Sequence, residues 1–490
     1  MTVSVDDVAA HSSLKLSSAA PRGRYAILTW GCQMNEEDSE QMSLFLEEMG
    51  YRRTDDTCCA DVVLLNTCSV RSKPEEKVWS ELGRLRGIKQ QRPGMVIGVC
   101  GCMAQVESAE ILRRAPHVDL VMGTGNLAIL PTLIERAASG AAQQSLAPRA
   151  ATIPLQLREH RAPVLRLDLP ARRGAVVTDI PGRSTRRRPK LKAHVPIMYG
   201  CDKFCAFCIV PYTRGRERSR PTAEIVAEVE MLAQGGTREI TLLGQTVNSY
   251  GKNLAEGRVP FAQLLGRLDS IPGIQRIRFT SPYPRDFRDD LIEAIGALPS
   301  VCEHVHLPLQ VGDNELLADM GRGYTVERFL EIVEQLRAAA PGISITTDIM
   351  LGFPGETDQQ FRNTLAVVEQ VRFDSAFMFA YSQRPGTKAA SREDQIPHRT
   401  RIDRLNTLIA LQNAITVDVN QALAGRRFEV LVEGRSPKDP SRLTGLTRTN
   451  KTVNFDAPVD SPEADSLTGK LVTVEALEGH LWGFTGRLSD

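Results

Sequence analysis

The stretch Tyr199-Gly200-Cys201-Asp202-Lys203-Phe204-Cys205-Ala206-Phe207-Cys208 decides how the rest of the chain is read. Three cysteines spaced Cys-x3-Cys-x2-Cys in one loop can wrap their thiolates around a single iron–sulfur cube, whereas a four-iron cluster normally takes four protein ligands. One iron is left open, which points to a small molecule as its remaining ligand and to a cluster that does chemistry. A zinc knuckle is the alternative, but zinc wants a fourth Cys or His at short spacing, and the nearest histidine, His194, lies upstream of the loop. A set of buried free thiols is the third reading.

Composition sets the frame for that loop. A chain of 490 residues with 42% hydrophobic and 24% charged residues is that of a soluble protein with about two to four domains. Lys plus Arg number 60 and Asp plus Glu 59, a net charge of +1, so any nucleic-acid binding must come from local patches. No apolar run approaches a membrane span, and residues 1–22 lack the apolar core of a signal peptide. They read as a disordered tail, and the protein as cytoplasmic with no membrane partner. In a reducing compartment its ten cysteines read as metal ligands, catalytic groups or buried thiols before disulfides.

Residues 23–138 alternate short apolar runs with amphipathic stretches: Tyr25–Thr29, Asp61–Leu65 and Met95–Val99 are strands, with helical patterns between them. This rhythm predicts a parallel α/β sheet. Each strand runs into a cysteine, Cys32, Cys68 or Cys102. The carboxyl ends of strands in such a sheet share one edge, the usual ligand edge, so three thiolates converge there on a second cluster with an open iron. Cys100, and with it Cys58, Cys59 and Cys302, read as ordinary buried thiols.

Residues 139–190 read as a Pro- and Arg-rich linker. Between Arg158 and Lys192 there are eleven Lys or Arg against three acidic residues, which suits either phosphate binding or a solvated spacer. Residues 191–422 repeat a strand–helix unit, with strands at Ala193–Met198, Glu239–Leu243, Arg276–Thr280, His304–Leu309, Ser344–Leu351 and Phe373–Tyr381. Six units are two short of a closed barrel, so an open (βα)6 partial barrel is expected, with its chemistry at the carboxyl ends of the strands. Those ends carry polar and glycine-rich turns suited to a ligand with amino-acid and nucleoside parts. Arg214, Arg216, Arg218 and Arg220 follow the cysteine loop and could clamp a carboxylate or phosphate. Five short antiparallel strand patterns in 423–490 predict a small β-barrel, with Arg435, Lys438, Arg442, Arg448, Asn450 and Lys451 in its loops near Phe455.

The Cys201–Cys208 loop, with Phe207 before the last cysteine, resembles that of the radical S-adenosylmethionine (SAM) enzymes. Gly31-Cys32-Gln33-Met34-Asn35, Asn66-Thr67-Cys68-Ser69-Val70-Arg71 and Gly101-Cys102-Met103-Ala104-Gln105 resemble the N-terminal domain of the methylthiotransferase branch, and 423–490 resembles the RNA-binding TRAM domain. Thr246 and Val311 stand where that branch more often has Asn and Ser.

The resemblance implies two [4Fe–4S] clusters, a SAM-binding one on Cys201, Cys205 and Cys208 and an auxiliary one on Cys32, Cys68 and Cys102. It also implies SAM as cofactor, with polar contacts from Gln245, Gln310, Asp348 and Arg384. Gly244-Gln245-Thr246-Val247-Asn248-Ser249-Tyr250 looks most like the enzymes that methylthiolate carbon 2 of N6-isopentenyladenosine next to the anticodon in tRNA. The implied partners are the tRNA anticodon loop and an electron donor such as flavodoxin or ferredoxin, with the chain a monomer. The rival readings are a methylthiotransferase acting on threonylcarbamoyl-adenosine or a ribosomal protein side chain, and a non-catalytic Fe–S protein that binds RNA.

Overall fold

In the computed structural model the strand row predicted for the N-terminal third is extended at both sides. The structure describes residues 21–68, 72–139, 163–169, 183–255, 257–456 and 466–489. Most of the predicted tail and linker, and the Ser69–Arg71 part of one cysteine motif, lie outside these. The described residues form two units. One takes the chain up to Arg187 together with Tyr199–Asp202 and Ile209–Arg218, and the other takes the remainder.

The first unit is built on a six-stranded sheet in the order β2-β1-β3-β4-β5-β6. Its strands are β1 (Gly23–Trp30), β2 (Tyr51–Arg53), β3 (Val62–Thr67), β4 (Val96–Gly101), β5 (Leu120–Met122) and β6 (Val164–Arg166), all paired parallel. A parallel sheet is covered on both faces, so its central strands read as continuous apolar runs, and β3 and β4 are buried at every residue. Leu64 and Cys100 face helices α1 (Gln33–Glu48) and α4 (Leu130–Ser139) through Met42, Phe45, Leu133 and Ile134. Leu65 and Ile97 face α2 (Ser72–Gln91) and α3 (Cys102–Arg114) through Val78, Leu82 and Ile111. Two expectations change here. Residues 164–166 of the stretch read as linker are the sheet's outer strand. Cys58 and Cys59 are exposed rather than buried, because they sit in the turn after β2, where Asp56 accepts from the Cys58 amide and the Cys59 thiol.

The second unit contains the predicted partial barrel: β7 (Lys192–Pro196), β8 (Glu239–Leu243), β9 (Arg276–Phe279), β10 (His304–His306), β11 (Ser344–Leu351) and β12 (Ser375–Ala380). They form two parallel ladders, β9-β8-β7 and β10-β11-β12, bridged where Ile277 pairs with Val301. Helices α5 (Thr222–Gln234), α6 (Phe261–Asp269), α7 (Asp289–Ala297), α8 (Val326–Ala339), α9 (Asp358–Val371) and α10 (His398–Gln421) follow the strands in turn. Among the described residues no ladder closes β7 onto β12, and the barrel is open as expected. Local signals set the helix starts: Thr357 and Gln360 form a reciprocal capping box at α9.

The C-terminal strands β13 (Arg427–Arg435), β14 (Arg442–Thr447), β15 (Thr452–Asp456), β16 (Leu471–His480) and β17 (Gly483–Leu488) close in the order β13-β14-β15-β17-β16. Four contacts are antiparallel and β15–β17 is parallel. Five strands cannot alternate direction around a ring, so one parallel pair is forced. Phe455, Phe484, Val432 and Leu443 fill the interior.

Candidate metal centres

The register of the first sheet sets its cysteines side by side. Trp30 pairs with Thr67, and Thr67 with Gly101, so three strands end in one row and Cys32, Cys68 and Cys102 follow at once. Gly101 makes the turn at φ 91°, where a Cβ would stand 2.5 Å from Asn66 Oδ1 and 2.6 Å from the Thr67 carbonyl. Asn35 and Asn66 clasp two of the loops. Asn35 Oδ1 accepts from the Cys32 amide and thiol, both at 3.3 Å, and the Asn35 amide nitrogen donates to Asn66 Oδ1 at 3.2 Å. Asn66 returns a bond to the Asn35 carbonyl at 2.8 Å.

Arg214 completes this site. It is buried, donates to Asp38 Oδ2 at 3.0 Å, and feels the charges of Cys102 and Cys32. A hydrogen bond from Cys68 overrides burial, and with Arg214 and Thr213 brings the Cys102 thiol down to about 5. Burial raises the Asp38 carboxyl to about 6 against the pull of Arg214. Among the described residues no three His, Cys, Asp or Glu side chains are gathered as ligands of a single ion. Three thiols on separate strand ends beside a fixed cation suit a multi-iron cluster, whose corners hold sulfurs further apart than one ion does. Ligation there would replace the Cys68–Cys102 hydrogen bond with two thiolates.

In the second cysteine loop, Cys201 is buried and its amide donates to the Gly215 carbonyl at 3.1 Å. Cys205 is buried, and its carbonyl accepts from the Cys208 amide at 3.0 Å. Arg322 Nη1 lies 3.4 Å from Cys205 Sγ. Lys203 reaches Asp286 at 2.5 Å. Burial alone would raise that carboxyl, but bonds from Lys203 and Ser249 hold it at about 2. The Gln245–Tyr250 motif buttresses this region: Asn248 exchanges two hydrogen bonds with the Tyr283 backbone, at 2.9 and 2.8 Å.

Gln245, Gln310 and Arg384 lie in the turns after β8, β10 and β12, whereas Asp348 sits within β11. Among the described residues, the buried Gln245 Oε1 has no hydrogen-bond partner. Gln310 adopts φ 69° and its amide donates to the Asp348 carbonyl at 2.8 Å, so these two are neighbours. The Asp348 carboxylate faces His306 at 3.4 Å. Arg384 is half-buried in a turn whose carbonyl accepts from Thr387.

The arginine run differs from expectation. Arg214 holds Asp38, Arg216 holds Asp202, and Arg220 holds Glu228, so these three serve the protein's own carboxylates. Three arginines of the basic stretch do likewise on α1: Arg183 pairs with Glu37, Arg187 with Glu40 and Arg186 with Glu48. Arg322 and the Asn35–Asn66 clasp escaped the sequence reading. The one available signal was Arg322 between two glycines.

A strand-end cysteine row in one unit, and an open (βα)6 barrel followed in sequence by a closed barrel in the other, define a three-module protein of the radical SAM class. Family models agree in order: the uncharacterized protein family UPF0004 matches residues 24–123, the Radical SAM superfamily 195–368 and the TRAM domain 421–488. The chain is 44% identical over 466 residues to the tRNA-2-methylthio-N(6)-dimethylallyladenosine synthase of Carboxydothermus hydrogenoformans, covering 95% of this chain and 99% of that one. It is 45% identical over 471 residues to the synthase of the same name from Moorella thermoacetica, covering 96% and 99%. Among solved structures, the radical S-adenosylmethionine methyltransferase TsrM from Kitasatospora setae shares the fold, with a TM-score of 0.52 and 15% identity over 84% of this chain and 79% of that one. The chain belongs to the tRNA-2-methylthio-N(6)-dimethylallyladenosine synthase family.

Proposed function

We propose that this chain adds a methylthio group to carbon 2 of N6-isopentenyladenosine beside the anticodon of tRNA, with Cys201, Cys205 and Cys208 holding the SAM-binding [4Fe–4S] cluster and Cys32, Cys68 and Cys102 the auxiliary one. One observation carries the reading: 44–45% identity over nearly the whole chain to relatives named for that product. The chain is a radical SAM transferase, and its cofactors are SAM and [4Fe–4S] clusters. They supply the one-electron and sulfur-transfer chemistry that an unactivated aromatic C–H bond requires.

The chain's own residues prepare both sites. Arg214 favours the thiolate at Cys102 Sγ, and Asn35 with Asn66 fixes the loops that carry Cys32 and Cys68. Gln245 Oε1, a buried acceptor in the turn after β8, supports a contact with an N–H of SAM. Gln310, its neighbour Asp348 and Arg384 are the further SAM contacts in this reading. The closed barrel binds tRNA, and the target base is splayed from its loop to reach the chemistry. The electron comes from a flavodoxin- or ferredoxin-class donor, and the reaction takes place in the cytoplasm, where tRNA is. No helix among the described residues is long and apolar enough to cross a membrane.

Anaerobic turnover on tRNA that carries the isopentenyl group but lacks the methylthio group tests this directly. Mass spectrometry of the digested nucleosides is expected to show the methylthiolated product. SAM cleavage without that nucleoside would contradict the assignment.

A further inference from the structure

Arg322 is a buried cation that no carboxylate neutralises among the described residues. Only 7% of it is exposed. Its guanidinium lies 4.7 Å from the ring centre of Tyr283 and 5.3 Å from that of Tyr324. Nε donates to the Tyr324 hydroxyl at 3.2 Å, and Nη1 to Cys205 Sγ at 3.4 Å. A desolvated charge needs an opposite one. Burial pushes both phenols up, so they stay neutral. The sulfur of Cys205 is the group within reach that would carry negative charge as a cluster ligand.

Backbone turns and hydrogen bonds position the box. Gly321 and Gly323 flank Arg322 at φ 70° and 66°, and the Arg322 carbonyl accepts from the Tyr283 hydroxyl. Asn248 in turn locks the Tyr283 backbone. The guanidinium is therefore aimed at the sulfur by the fold itself.

We infer that Arg322 is the positioning residue of Cys205, and that its charge sets how readily the cluster on Cys201, Cys205 and Cys208 accepts an electron. This rests on the cluster assignment proposed above. The step is a one-electron reduction: the external donor loses one electron and the cluster core passes from 2+ to 1+. With three thiolates the site goes from −1 to −2. No proton moves, because Arg322 is charged throughout. A fixed cation within hydrogen-bond reach of one ligand stabilises the more negative state and raises the potential.

The test uses the full chain with Cys32, Cys68 and Cys102 changed to Ala, reconstituted with iron and sulfide, so that one cluster gives the signal. It is titrated anaerobically with dithionite and mediators and followed by electron paramagnetic resonance. Arg322→Met is expected to shift the reduction equilibrium at least tenfold against the reduced form, about 59 mV for one electron, at unchanged iron content. Arg322→Lys is expected to return at least half of that shift. Arg322→Gln, which keeps an N–H donor without the charge, serves if the Met variant fails to fold, and is expected to shift the same way. An unmoved potential at equal iron loading overturns the inference alone. A parent that binds no iron overturns the cluster assignment and this inference with it.

Discussion

Arg214 and Asp38 form a buried pair whose two halves do different work, since the guanidinium also faces the thiols while the carboxylate holds it in place. Removing one partner of such a pair leaves the other uncompensated, at a cost of about 3–5 kcal/mol. Arg214→Met is therefore expected to destabilise the iron-free first unit by about that much in chemical denaturation. It is also expected to raise the Cys102 midpoint from about 5, read as the thiolate absorbance missing in Cys102→Ser. Asp286 gives a pH signature. Its folded value of about 2 lies below the unfolded 3.8, so its contribution is full above 3.8 and is lost as pH falls toward 2. The gap in denaturation midpoint between the iron-free chain and its Asp286→Asn variant should shrink across that window. A constant gap would show that the Lys203–Asp286 contact does not depend on charge. At this scale the strand-end placement of Cys32, Cys68 and Cys102 was legible, because each follows a short apolar run. Arg214 and Arg322 were not, because an arginine's role depends on burial. Phe455 misled for the same reason: read as a ring beside basic loops, it is wholly buried in the barrel.

At the scale of elements, the decisive feature is that β1, β3 and β4 end in register. A one-residue slip would turn every side chain of a strand to the other face, and burial on both faces forbids it. That is why three short apolar runs sufficed to place three cysteines. The outer strand β6 was not legible, because three residues among prolines and arginines carry no period. Gly101 is the turn on which the row depends. Gly101→Ala must place a Cβ against Asn66 and Thr67 at positive φ, a strain of about 1–3 kcal/mol before the clash is relieved. The variant is expected to lose at least that much stability by denaturation and to bind less iron on reconstitution. Wild-type stability and loading would contradict the role given to this turn.

Over the whole molecule, the closed barrel docks on the amino-terminal side of the (βα)6 strands within the second unit. Arg276 and Arg278 of β9 reach barrel carbonyls at Leu446, Thr447 and Arg448. Arg448 returns to Glu303 ahead of β10, and Lys451 to Asp374 ahead of β12. Two of the basic residues placed from sequence in the barrel loops thus hold the barrel to the strands, a distinction that needed the tertiary fold. Among the described barrel residues the exposed ring is Trp482, at 81%. The barrel stands at the amino-terminal strand ends, so the tRNA contacts proposed for it would lie away from the carboxyl-end turns. Trp482→Ala should therefore raise KM for tRNA by about tenfold and leave kcat unchanged; a fall in kcat at equal KM would contradict this. The claim on which the account depends is two independent sets of three cysteines, and iron per reconstituted chain measures it most directly. About eight irons are expected in the wild type and about four when either set is changed to alanine. An iron content unchanged by removing Cys32, Cys68 and Cys102 would contradict it.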